Sequence, residues 1–303
     1  MDRTDDLVAR NRVVPGCETG DFEMFDEERR EPIVTIVVVA HSVRAELERC
    51  LGSISRHAGL PVEVVLADNA STDGTVDWVR TAHPEVRLVE LERNLGVAAR
   101  DYGLELARSP YTMFLDSDAE LTPGALPALV QALEEHADWG LAGPRLVNQE
   151  GQLELSCRRF PPLLLPLLRR PPLERVFGDS RVVRKHLMSD VDHERVRAVP
   201  YVLGACQIFR TSLARRAGRF DQRIFYGPDD IDWCIRIRDA GGEIVYFPDA
   251  TVVHAYRRMT RRRPLSRAAL RHLTAFVYFH WKYRDRRSEL RQLERRLDSL
   301  AAA

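Results

Sequence analysis

Seven consecutive residues, Ile33-Val34-Thr35-Ile36-Val37-Val38-Val39, are all β-branched. Such side chains are stiff at χ1 and fit a pleated surface. The run does not alternate with polar residues, so both of its faces need cover, as in a central strand of a parallel sheet. The next segments can supply that cover. Residues 45–56 place Leu47, Leu51 and Ile54 at helical spacing, and residues 62–66 form a second apolar run. That run ends in Asp68-Asn69-Ala70-Ser71-Thr72-Asp73-Gly74, a turn that caps a helix over 75–82. A strand over 86–91, a helix over 96–107 and a strand over 111–115 complete a β-α-β-α-β-α-β rhythm. This alternation predicts an α/β fold with a doubly wound, mainly parallel sheet.

The second half is less regular. A helix is expected over 123–136, and from Leu141-Ala142-Gly143-Pro144 onward the pattern loosens. Residues 160–172 are proline-broken, apolar and then basic, and cannot be one regular helix. Helices are expected over 212–217 and from the acidic cluster Asp229-Asp230-Ile231-Asp232 to Asp239, followed by short strands at 243–247 and 251–253. The domain reading is a polar arm over 1–31, one folded domain over 32–256, and a basic, aromatic helical extension over 257–303.

Composition excludes more than it selects. Net charge is zero at 45% hydrophobic and 30% charged residues, so no global field points to nucleic acid. Charge is uneven: residues 257–287 hold eleven Lys and Arg against the single acid Asp285. In that segment Leu270, Leu273, Phe276, Val277, Phe279 and Trp281 interleave at helical spacing, which fits a helix packed on the domain and equally an anionic membrane surface. Five dispersed cysteines read as reduced and intracellular. The first residues lack the apolar core of a signal peptide, and the longest apolar runs are too short to span a bilayer. A cytoplasmic chain is expected, with peripheral contact at the inner face of the plasma membrane as the option the basic tail opens. An oligomer is compatible with all of this.

Chemistry concentrates at strand ends, where open α/β sheets bind ligands. Asp116-Ser117-Asp118 closes the fourth strand. Residues i and i+2 of an extended chain project from one face, so the two carboxylates point together, and Mg2+ or Mn2+ relieves their repulsion. A capping turn ahead of Glu120 is the ordinary alternative. Asp229-Asp230-x-Asp232 is acid-rich enough for a helix cap and a general base, with Asp229 as the cap and Asp230 as the base. His254, at the end of an apolar strand, gains meaning only in company with these acids. No Gly-x-Gly-x-x-Gly, Gly-x-x-x-x-Gly-Lys-[Ser/Thr], Gly-x-Ser-x-Gly or Cys-x-x-Cys motif occurs.

Taken in order, 35–42, 66–75, Asn94-Leu95-Gly96-Val97-Ala98-Ala99-Arg100, the Asp-x-Asp, Gly204-Ala205-Cys206 and the blocks from Gly218 to His254 resemble family 2 glycosyltransferases of the GT-A fold, rhamnosyltransferase-like members above all. The resemblance spans about 33–283. It implies that Ala40, Ser42 and Asp68 hold the base and ribose of a nucleotide-sugar, with Asn94 and Arg100 lining the same pocket. Asp116 would sit near the ribose and metal, and Asp118 and His254 would bind the Mg2+ or Mn2+. Asp230 would be the catalytic base supported by Asp229, while Trp233 and the 155–200 insertion border the acceptor. His41 stands where the family commonly has Tyr, and Asp101 where it usually has Asn. The implied reaction is inverting transfer from dTDP-rhamnose, or secondarily a UDP-sugar, to a glycan or lipid-diphosphate-linked acceptor. Nucleotidyl transfer to a sugar phosphate and non-catalytic binding of a sugar nucleotide are the alternatives. The first lacks a Gly-rich triphosphate loop, and the second would not need the acids.

Overall fold

The computed structural model describes residues 31–255 and 267–300; all but the last residue of the polar arm over 1–31 and the arginine run 257–263 lie outside the described residues. Ten strands form one sheet whose main path runs β3-β2-β1-β4-β11-β6-β12-β5. The first half is parallel, as the alternation predicts: β1 (Val34–Ala40), β2 (Val62–Asp68), β3 (Arg87–Glu90) and β4 (Tyr111–Asp116). Helices α1 (Arg44–His57), α2 (Thr75–Ala82) and α3 (Arg100–Leu106) connect them, the last preceded by a 3-10 turn over Gly96–Ala99.

β1 is covered on both sides. Val34, Ile36 and Val38 join Leu47, Leu51 and Ile54 of α1 and Leu126, Leu129 and Leu133 of α4 (Ala125–Glu135) in one core. Val37 faces a second core with Leu104 of α3 and most of α9 (Asp229–Asp239). The close approach of α3 to β1 depends on Gly103, where a Cβ would lie 2.2 Å from Val37 Cγ1.

The second half is more ordered than its sequence pattern suggests. β5 (Ala119–Leu121) pairs antiparallel with β12 (Glu243–His254), and β6 (Trp139–Val147) runs through the loosely patterned stretch as a nine-residue interior strand. Pro144 sits in β6 where its pairing with β12 is irregular between Phe247 and Thr251. A proline is tolerated there because ladder bonding is already interrupted. The two strands expected at 243–247 and 251–253 are therefore one strand with a local irregularity. β11 (Cys206–Arg210) is antiparallel to both β4 and β6, so the sheet is mixed.

The 155–200 insertion carries β8 (Cys157–Arg158) paired with β10 (Tyr201–Val202) and the short helices α5 (Leu165–Leu168), α6 (Glu174–Phe177) and α7 (Arg181–His186). β7 (Leu153–Glu154) and β9 (Arg197–Ala198) extend the main sheet through β6 and β12, and α8 (Thr211–Ala217) follows β11. The chain ends in helices Arg267–Lys282 and Arg287–Leu300. The first is anchored by Lys282, whose Nζ donates to Asp221 (2.9 Å) and to the buried Asp232 (2.6 Å). Phe276, Phe279 and Tyr283 are buried, while Leu270, Val277 and Trp281 are exposed, so the segment packs on the domain and still presents an apolar face. Among the described residues no helix is long and apolar enough to cross a membrane.

Candidate active site

Strand register brings the site together. Ala40 pairs with Asp68 and Val39 with Asp116, which levels the carboxyl ends of β1, β2 and β4. The turn before β11 meets the same edge, since Asp116 N–H donates to Ala205 O at 2.9 Å. Beyond β4 the chain turns directly into β5. There Ala119 pairs with His254, and Ala255 N–H donates to Asp118 O at 2.9 Å. Backbone pairing, not sequence proximity, thus places His254 beside Asp118.

The ligand atoms of Asp116, Asp118 and His254 lie within 4.8 Å of one another. His254 Nδ1 is 2.7 Å from Glu154 Oε2, and its Nε2 is 3.5 Å from Asp118 Oδ1. A carboxylate behind a histidine fixes the ring and directs the other nitrogen at a metal. Burial works against charge on this ring, but Asp118 and Glu154 outweigh it and raise the imidazole to about 10. Two carboxylates and an imidazole with this appetite for positive charge fit Mn2+ or Mg2+. Glu154 carries no signal in the sequence, because it sits on a two-residue strand whose role appears only through β6.

Arg100 links the two acidic clusters. Its Nη2 donates to Asp116 Oδ1 at 2.7 Å and to Gly204 O at 3.0 Å, and its Nη1 stands 3.5 Å from Asp229 Oδ2. The resemblance implies a place for Arg100 in the nucleotide pocket with Asn94; its guanidinium lies between Asp116 and Asp229 at the start of α9. Asp229 does not cap α9. It accepts Gly227 N–H at 3.1 Å, and Asp230 Oδ1 accepts Ile231 N–H at 2.8 Å. Burial first, and then the neighbouring Asp229, pushes the Asp230 carboxyl well above its ordinary range; burial raises Asp229 as well, against the pull of Arg100. Two neighbouring carboxylates in a low-polarity corner each make ionisation of the other harder, and the one without an arginine contact is the better proton acceptor.

The loops beyond β1 and β2 are stapled to each other. Ser42 N–H donates to Ser71 Oγ at 2.8 Å, Thr72 N–H donates to Ser42 Oγ at 3.1 Å, and Ser42 takes φ +52°. Ala40 is buried and its carbonyl accepts Asn69 N–H at 2.7 Å, so it supports this loop and presents no surface of its own. Asp68 is buried; one oxygen accepts Ser71 N–H at 2.8 Å and the other has no hydrogen-bond partner. Such an orphan acceptor at a strand end is suited to a ligand N–H or hydroxyl. Asn94 closes a turn through Gly96 N–H at 2.8 Å. Asn69, in the turn that follows β2, bridges the loops by accepting Leu95 N–H (2.7 Å) and donating to Gly96 O (3.0 Å). Asp101 is structural: it is buried and both its oxygens accept Phe220 N–H, at 2.9 and 3.2 Å.

Trp233 does not border an acceptor. It is fully buried, stacked on Phe220 at 4.8 Å and packed on Phe114 and Phe209. α9 lies between the sheet and the penultimate helix, so nearly every turn of it is covered. The insertion does border the site. A cavity of about 290 Å³ is lined by Asp116, Asp230 and His254 and by Arg158, Arg169 and Arg170 of the insertion.

A family model described as "Glycosyl transferase family 2" matches residues 35–217. The chain is 28% identical over 271 residues to N-acetylglucosaminyl-diphospho-decaprenol L-rhamnosyltransferase of Mycobacterium tuberculosis, covering 81% of this chain and 83% of that protein. Its fold is similar to the mannosyltransferase PcManGT of Pyrobaculum calidifontis, solved with GDP-Man and Mn2+, at TM-score 0.54 and 24% identity over 82% of this chain and 70% of that one. S. aureus TarS 1-349 in complex with UDP-GlcNAc gives TM-score 0.54 at 17% identity, covering 75% of this chain and 60% of that one.

Proposed function

The chain belongs to glycosyl transferase family 2, and on that premise we propose that it is a metal-dependent inverting transferase acting on a lipid-linked or cell-surface glycan, with dTDP-rhamnose as leading donor and UDP-sugars second. The observation that carries this reading is the placing of Asp116, Asp118 and His254 across Arg100 from Asp229 and Asp230. One group of acids suits a cation and a diphosphate; the other suits a proton. The rhamnosyltransferase relative supports the sugar and the diphospholipid class of acceptor.

In this reading Asp68 and Ser42 hold the nucleoside end of the donor. Asp118 and His254, with Asp116 in reach, hold Mg2+ or Mn2+, which supplies positive charge against the leaving diphosphate. Asp230 takes the proton of the acceptor hydroxyl as its oxygen bonds to the anomeric carbon. The bond from that carbon to the diphosphate oxygen breaks, and the leaving nucleoside diphosphate keeps the electron pair. Arg100 keeps Asp229 charged, so that a proton is more readily accommodated on Asp230. The protein works at the cytoplasmic face of the plasma membrane, where the exposed Val277 and Trp281 meet anionic lipid.

The test is thermal stabilisation by dTDP, UDP and GDP with and without Mn2+ or Mg2+, followed by turnover of the matching nucleotide-sugars. Metal-dependent stabilisation by a nucleoside diphosphate is expected, with thymidine strongest. Stabilisation by nucleoside triphosphate with pyrophosphate release would instead mark nucleotidyl transfer.

A further inference from the structure

Two chemically different groups line the cavity, Asp116 and His254 as one and Arg158, Arg169 and Arg170 as the other, and Asp230 shares the lining with both, close enough to Arg158 to feel its charge. We infer that Arg158, Arg169 and Arg170 form a second anion subsite, which takes a phosphoryl group of the acceptor and so sets its sugar hydroxyl against Asp230; this rests on the transferase reading above.

Arg158 is buried, held by β8 pairing with β10, where Arg158 faces Tyr201. Its Nε and Nη2 both donate to Leu155 O, at 3.1 and 3.0 Å. Arg170 is half-buried; its Nη2 donates to Ala269 O at 3.2 Å and lies 3.4 Å from His272 Nδ1. Among the described residues neither arginine makes an ion pair. His272 offers no negative charge, and burial, then Arg170 and Arg169, hold it neutral by lowering it to about 4. Of the acids lining the cavity, Asp116 and Asp229 already face Arg100. Arg158 and Arg170, two guanidinium groups in a partly buried wall with no ion-paired carboxylate among the described residues, favour an anion, and their planar forks suit phosphate oxygens.

The donor's own diphosphate belongs at the metal end, so an anion at the arginine end must come from the other substrate. Beside this wall Leu163, Leu164 and Leu167 are exposed on the insertion. A phosphoryl group followed by an apolar chain would meet charge and then hydrocarbon in that order.

The test uses the full chain with Mn2+ and saturating dTDP, so that the metal end is filled. Binding of farnesyl diphosphate, inorganic pyrophosphate and farnesol is measured by calorimetry on the wild type and on the double variant Arg158→Ala/Arg170→Ala. Farnesyl diphosphate is expected to bind, and to bind about 10- to 100-fold more weakly to the variant. Tighter binding of farnesyl diphosphate than pyrophosphate identifies a lipid-linked phosphate; equal binding identifies a free phosphoryl group, and both support the subsite. Equal binding of farnesol, or wild-type affinity in the variant, overturns it. Metal-dependent stabilisation by dTDP on the same samples separates the two readings: if it persists while anion binding is absent, only the subsite falls. If the double variant does not fold, Arg170→Gln carries the same comparison.

Discussion

The acid-rich end and the arginine end of the cavity are built by different means. Asp68, Asp116, Asp118 and His254 are set by backbone register, since each closes a strand or follows its last residue in one sheet. The arginine end stands on strands of two residues and helices of four to six, held by side chains from distant parts of the chain. Arg159 reaches Asp298 (3.0 Å) and Asp190 (3.1 Å), and Phe160 N–H donates to Glu294 (2.6 Å). A register-built end is difficult to alter piecemeal because a one-residue slip reverses every side chain. An end held by ion pairs can change its ligand while the sheet stays intact, so one donor-binding frame can serve different acceptors.

Substitutions can test that contrast. The largest effect is expected from Asp230→Asn, which should lower kcat by about 10²- to 10⁴-fold while metal-dependent stabilisation by nucleotide persists; near-normal turnover would sink the assignment of Asp230 as the base. Asp118→Asn should cost about 10²- to 10³-fold and, unlike Asp230→Asn, abolish the metal dependence of nucleotide binding in a thermal-shift titration. The pH profile is the next effect in size. Burial and Asp229 raise Asp230 to about 8, and a base must be unprotonated, so kcat/KM should climb about tenfold per pH unit below that value and level off above it. A profile flat from pH 6 to 9 would assign proton removal elsewhere.

Lys282→Ala probes the other end. Asp232 is almost fully buried and among the described residues would keep Arg236 and Tyr283 as side-chain partners. A cost of about 2 kcal/mol is expected, a fall of roughly 3 °C in Tm, with KM for acceptor rising more than KM for donor. Equal effects on both would mean that the two ends are not separately built. The smallest effect belongs to Trp281→Ala. Trp281 is 55% exposed, so stability should move by no more than about 0.5 kcal/mol, while flotation with anionic liposomes at low salt weakens. Unchanged flotation would remove this face from membrane contact.

Much of the acid-rich end is legible in the sequence because its signals are local. The β-branched run, the turn after β2 and the Asp-x-Asp each lie within ten residues, and strand periodicity says where such residues emerge. Trp233 misleads for a related reason. Its neighbour Asp230 faces the cavity, but the coverage of α9 by the sheet and the penultimate helix is a tertiary fact with no local trace. The same holds for β6, whose apolar run is broken by Gly143 and Pro144 and becomes a strand only between β11 and β12.

By itself, then, the sequence determined the parallel half of the sheet, the loops at its carboxyl edge and the identity of the acids there, since those arise from short-range periodicity and turn chemistry. Tertiary structure alone decided which groups meet. It placed Glu154 behind His254, Arg100 between Asp116 and Asp229, and Arg158 and Arg170 in the lining of the same cavity as Asp116 and His254. Those contacts join residues far apart in the chain, and the free energy that selects them comes from burying the surfaces between the elements, which no single segment carries.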